Sequence, residues 1–126
     1  MNRKWMAALG SAALIATSAA AVAHHSFAMF DEEHPIEPEG IVQEFKYTNP
    51  HCYILLEVKG ADGKVVIWNL EGGAPSLLTR DGWSSQSLKP ADQVAVTINP
   101  LRSGAPGGAW NVRLIKFKDG RPIVSP

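Results

Sequence analysis

From Gly40 onward, apolar and polar residues alternate with the period of two that marks half-buried strands. Ile41, Phe45 and Tyr47 fall on one side of an extended segment, opposite Glu44 and Lys46, until Asn49-Pro50 breaks it. Cys52, Ile54, Leu56 and Val58 then alternate with Tyr53, Leu55 and Glu57. Gly60-Ala61-Asp62-Gly63 reads as a hairpin turn, because Asp-Gly supplies the positive φ that such turns require. Val65 to Glu71 continues as a third strand rich in β-branched residues.

The pattern changes after Gly72-Gly73-Ala74. Proline at Pro75 and glycine at Gly82 bracket a stretch that reads as one short helix over Pro75–Asp81. Leu77, Leu78 and the following Trp83 would supply its apolar face. Ser87 to Asp92 reads as a turn. Val94, Val96 and Ile98 alternate with Ala95 and Thr97, Ser103 to Gly108 is a glycine-rich loop, and Trp110, Val112 and Leu114 alternate again. Asp119-Gly120 marks the last turn.

Three strands, a short helix and two more strands predict an all-β domain with one short helix. The order is that of a small five-stranded antiparallel OB-like barrel. Closure into a barrel would remove the exposed sheet edges that invite association. The expected organisation is a polar, proline-bearing extended arm over residues 24–39, a barrel over 40–121 and a tail over 122–126. There is length for one domain and not two.

The first 23 residues read differently. Arg3 and Lys4 precede an apolar stretch, Trp5 to Thr17, and Ala21-Val22-Ala23 is a small-x-small cleavage tripeptide, so residues 1–23 read as a signal peptide. The apolar stretch is shorter than the roughly 20 residues a spanning helix needs. The expected location is periplasmic or secreted, with no stable membrane span after cleavage. Arg3 and Lys4 would leave with the leader while all 12 acidic residues stay, which turns the chain's formal neutrality into a faintly acidic mature protein. Its dispersed lysines and arginines lack the basic stripe that phosphate contacts need, so nucleic acid is not expected as a partner. Cys52 is the only cysteine, which excludes an internal disulfide, and it reads as a small buried hydrophobe. An intermolecular disulfide or a soft ligand beside His51 are its sharper alternatives.

Four histidines, His24, His25, His34 and His51, all follow the leader. Cleavage after Ala23 makes His24 the first residue, and its α-amine and ring nitrogen can then chelate one metal ion. A further imidazole completes a planar three-nitrogen set, which suits copper(II). His51 is the expected third nitrogen, because it follows a proline in a loop between two strands. His25 and His34 are weaker donors. Cleavage after Ala21 instead gives Val22-Ala23-His24, where the amine, two amides and the imidazole form a square-planar site that needs no fold. An earlier cut leaves a histidine pair in a tail.

Other constellations carry less. Asp31-Glu32-Glu33 lacks the alternation and glycine of a calcium loop and reads as a solvated acidic run. Ser76 sits in no nucleophile-elbow pattern, and no enzymatic activity is expected. Tyr47, Tyr53, Trp68, Trp83 and Trp110 could form a stacking face but are expected in the core. The sequence thus predicts a small exported binding protein, with copper the favoured ligand through His24, His51 and His25. The alternative is a non-metal envelope adaptor that binds a protein, peptide or glycan through the barrel face.

Taken together, His24-His25-Ser26-Phe27-Ala28, Asn49-Pro50-His51, Gly82-Trp83 and Ser87-Leu88-Lys89-Pro90 resemble a family of small exported bacterial proteins of unknown function. The resemblance runs from His24 to Arg121. It implies a signal peptide and a small β-rich domain, and it brings no established activity or catalytic residues. The chain departs from the pattern at Ala91, where glycine is expected in the turn before Asp92, and at Cys52.

Overall fold

Strands form where the alternation is strongest. The computed structural model describes residues 28–125, and these build β1 (Glu39–Lys46), β2 (Tyr53–Lys59), β3 (Val65–Glu71), α1 (Pro75–Arg80), β4 (Gln93–Pro100) and β5 (Gly107–Phe117). The strands close in the order β1-β2-β3-β5-β4. The expected mostly-β, five-stranded barrel with one short helix is therefore present.

Its expected antiparallel character needs a correction. Four pairings are antiparallel, but β3 and β5 run parallel from Asn69↔Gly107 to Glu71↔Ala109. Between them the chain passes through α1 and β4, a crossover long enough to return β5 in the direction of β3. The barrel is mixed.

Burial follows the alternation in β2, and in β4 except at the small Ala95, which is buried as well. Ile54, Leu56, Val94, Val96 and Ile98 are fully buried, as is Cys52 just ahead of β2. Each such aliphatic side chain contributes about 1.5–3 kcal/mol relative to exposure. In β1 and β5 the phase slips. Val42 pairs with Leu56 and Glu44 with Leu55, so Gln43 is an extra residue on β1. That bulge places Val42 in the core and leaves Ile41, expected inward, 42% exposed. In β5, Trp110 faces Ile98 and Ile115 faces Val96, so Asn111 to Leu114 all stand against Thr97. Ile115 is buried as a result, and Leu114, expected inward, is 53% exposed.

The helix α1 begins with Pro75, ends at its C-cap Asp81 and is followed by Gly82 at φ 81. Six residues cannot hold a helix alone, so tertiary contacts must. Leu78 and Trp83 are buried beneath it, while Leu77 stays exposed. The Tyr47 hydroxyl supplies the polar tie. It donates toward the Pro75 carbonyl at 3.0 Å and lies 2.6 Å from Thr79 Oγ1, joining the end of β1 to the helix.

The described part of the arm, from Ala28 on, is docked by its backbone. Ile36 N donates to Ile98 O at 3.0 Å and Ile98 N returns the bond at 2.8 Å. Asp31 N donates to Pro100 O at 2.8 Å, and Arg102 N to Met29 O at 2.9 Å. Because β1 pairs with β4 only from Glu39 to Ile41, the arm covers the rest of the β4 edge. At the other end Pro122 bridges Lys116, and Ile123 and Val124 pack on the core.

Ala91 sits at φ 76, in the left-handed region that disfavours a Cβ. It occupies the third position of a turn in which Asp92 N donates to Lys89 O at 3.1 Å, after a proline at the second. A type II turn takes glycine at the third position, so alanine there is strained. Ala91→Gly is expected to stabilise the protein by about 0.5–1 kcal/mol and raise Tm by roughly 3–6 °C in thermal unfolding. An unchanged or lower Tm would count against it.

Candidate functional site at His51

His51 is positioned by its neighbour. Cys52 N donates to Gly73 O at 2.9 Å and Gly72 N to Cys52 O at 2.8 Å, which extends the β2–β3 ladder past Tyr53. Successive side chains of an extended chain point to opposite faces, so with Cys52 in the core His51 faces outward. Its Nδ1 lies 3.2 Å from Gly72 O. A carbonyl only accepts, so Nδ1 carries the proton of that bond and the Nε2 lone pair is left available. Backbone anchoring of one ring nitrogen to aim the other is the usual support for a metal-binding imidazole.

Nε2 faces a carboxylate. Glu71 Oε1 is 3.6 Å away, with both side chains partly exposed. One ion with bonds of about 2.0–2.2 Å to nitrogen and oxygen fits between such atoms. The sequence reading missed Glu71. The available signal was the hairpin register: the Gly60–Gly63 turn pairs Lys59 with Val65 and, counting outward, Tyr53 with Glu71.

His51 and Glu71 stand in a groove of about 410 Å³ that Phe30, Glu32, Leu77, Ala109 and Trp110 also line. Trp110 is buried against Trp83 at 5.4 Å between ring centroids, and Phe45 meets both rings edge-on. Trp83 and Trp110 are therefore core residues, as expected, and Tyr53 and Trp68 are half-buried on their strands. Burial first, and the Glu71 carboxylate second, push the Tyr53 phenol above its ordinary range and keep it neutral.

The other predicted donors do not join this groove. His34 Nδ1 lies 3.0 Å from Asp31 Oδ2 on the arm, and that bond, foremost, holds the Asp31 carboxyl below its usual value. Asp31, Glu32 and Glu33 do not converge, and only Glu32 lines the groove. Cys52 is fully buried, and burial pushes its thiol up. His24 and His25 lie outside the described residues. Among the described residues no cluster of three or more histidine, cysteine, aspartate or glutamate side chains is gathered to hold a metal, and no helix is long and apolar enough to cross a membrane.

The model of DUF6152, a family of unknown function, matches residues 9–111, and the chain belongs to that family. The matched span includes the arm, His51, Glu71 and Trp110. Neither a curated protein nor a solved structure matches the chain.

Proposed function

We propose that this DUF6152 protein is an exported binding protein, not an enzyme, that holds copper(II) between the N-terminal histidine of its mature chain and His51. The observation that carries the reading is the His51 ring, tied through Nδ1 to Gly72 O at 3.2 Å, with Nε2 toward Glu71. Phe30 lines the same groove, so the arm comes to the site. From Ala28 back to His24 is four residues, a reach of up to about 14 Å. Arg3, Lys4 and Ala21-Val22-Ala23 support export and the new amino terminus, and His25 is a second imidazole within the same reach. The faintly acidic mature chain favours a cation over nucleic acid as partner.

Intact mass of protein from the exported fraction is expected to begin at His24. Copper(II) titration followed by spin resonance should then give one equivalent with nitrogen couplings. His51→Ala should weaken binding by more than the roughly 10–100-fold that loss of an outer-shell partner costs. A different mature end, or binding unchanged by His51→Ala, defeats the reading.

A second reading, the envelope adaptor, draws on a separate observation. Among the described residues β3 pairs with β5 only from Asn69 to Glu71, and Val65, Val66 and Ile67 are 58%, 44% and 39% exposed. An open, β-branched strand edge suits a partner that adds a strand. Absence of copper binding, together with an envelope partner lost on Ile67→Lys, would select this reading.

A further inference from the structure

We infer that His24–Phe27 of the mature chain seats in the groove, with Phe27 on the Leu77–Trp110 wall and the histidines toward Glu32 and Glu71. The groove itself states the chemistry of its occupant. Its apolar lining is Phe30, Leu77, Ala109 and Trp110, and Leu77 is 52% exposed. Its lining also carries two carboxylates, Glu32 and Glu71, and none of the described residues that line it is a lysine or arginine. Its occupant is therefore part apolar and part cationic.

The segment just upstream of the described residues has that composition. A free α-amine, two imidazoles and a phenyl ring occur within His24-His25-Ser26-Phe27. It is also delivered to the place. Met29 O is fixed by Arg102 N at 2.9 Å, and Phe30 already lines the groove. A segment attached at the rim by so few residues has an effective concentration in the millimolar range, which a free peptide would have to match. At about 410 Å³ the groove is within the size range of pockets that bind small ligands.

The inference rests on the same cleaved amino terminus as the copper reading, but the seat itself needs no metal. The test uses metal-free mature protein from the exported fraction. Nuclear Overhauser contacts are expected between the Phe27 ring and both the Leu77 methyls and the Trp110 indole. Chymotrypsin should cut after Phe27 at least tenfold more slowly than in Leu77→Glu, a substitution at an exposed position that leaves the core intact. Random-coil signals for Phe27 with equal cleavage in both proteins overturn the inference. Protection that appears only after copper(II) is added also overturns it while leaving the copper reading in place. Contacts in the metal-free protein that binds no copper keep the inference and remove the copper reading. Contacts that vanish on dilution assign the groove to a second copy and overturn it.

Discussion

Replacing Gly72 with alanine is expected to destabilise the barrel by about 2–3 kcal/mol, the upper part of the range for overpacking a filled core. Gly72 is not one of the glycines at positive φ, so backbone freedom is not the reason. A Cβ there would stand 2.6 Å from Trp110 Cε2 and Nε1, closer than real Cβ contacts come. The indole cannot withdraw, because Trp83 lies 5.4 Å away on one side and Phe45 6.2 Å away on another, centroid to centroid. Thermal unfolding should show Tm lower by roughly 10–20 °C. The cause is separable from generic damage by a double-mutant cycle with Trp110→Leu, which removes the ring the methyl would strike. The two losses should then sum to at least about 1 kcal/mol more than the double variant shows. Additive losses would mean that the clash with Trp110 is not what makes Gly72 necessary.

The same glycine shows why the fold was more legible than the site. β2 and β4 were readable because Ile54 and Leu56, and Val94, Val96 and Ile98, are buried in an unbroken period of two, and α1 because Pro75 and Gly82 mark its ends in the chain itself. The phases of β1 and β5 were not. A bulge at Gln43 or opposite Thr97 is a property of two paired strands, and either strand alone looks like a regular alternation. The parallel β3–β5 pairing spans only Asn69–Glu71, too short to leave the continuous apolar run that announces parallel strands. The turn before Asp92 was legible as one in which glycine is expected, and φ 76 at Ala91 gives that expectation its physical meaning.

At the site, His51 could be picked out because proline and the strand boundary fix where it projects. Glu71, Phe30 and Glu32 could not, for two different reasons. Glu71 reaches His51 only through a hairpin register that must be counted across the Gly60–Gly63 turn. The arm holds β4 by backbone bonds from Asp31 and Ile36, and Arg102 just beyond it by one from Met29, and backbone bonds impose no pattern on side chains. An aperiodic, proline-bearing segment thus carries one wall of the groove without any sequence period to show it.

Trp83→Ala is expected to cost about 3–5 kcal/mol, the range for removing a large buried aromatic. That is a major part of the roughly 5–15 kcal/mol that holds a domain of this size folded. The ring is 4% exposed and lies against Trp110 at 5.4 Å and Phe45 at 6.0 Å, so truncation opens a cavity at the centre of the aromatic cluster. Its backbone is fixed independently, since Trp83 N donates to Leu78 O at 3.1 Å, which limits how far the cavity can collapse. The loss should also loosen the floor under the His51 groove, because Trp110 would lose the Trp83 ring that packs against it at 5.4 Å. Urea unfolding should show a midpoint lower by roughly 2 M for a slope near 2 kcal/mol/M. Leu114→Ala supplies the contrast. The residue is as apolar but 53% exposed, and its loss should fall within about 0.5 kcal/mol. Comparable losses at Trp83 and Leu114 would contradict the slipped phase of β5 and the placement of the core on the Trp83–Trp110 pair.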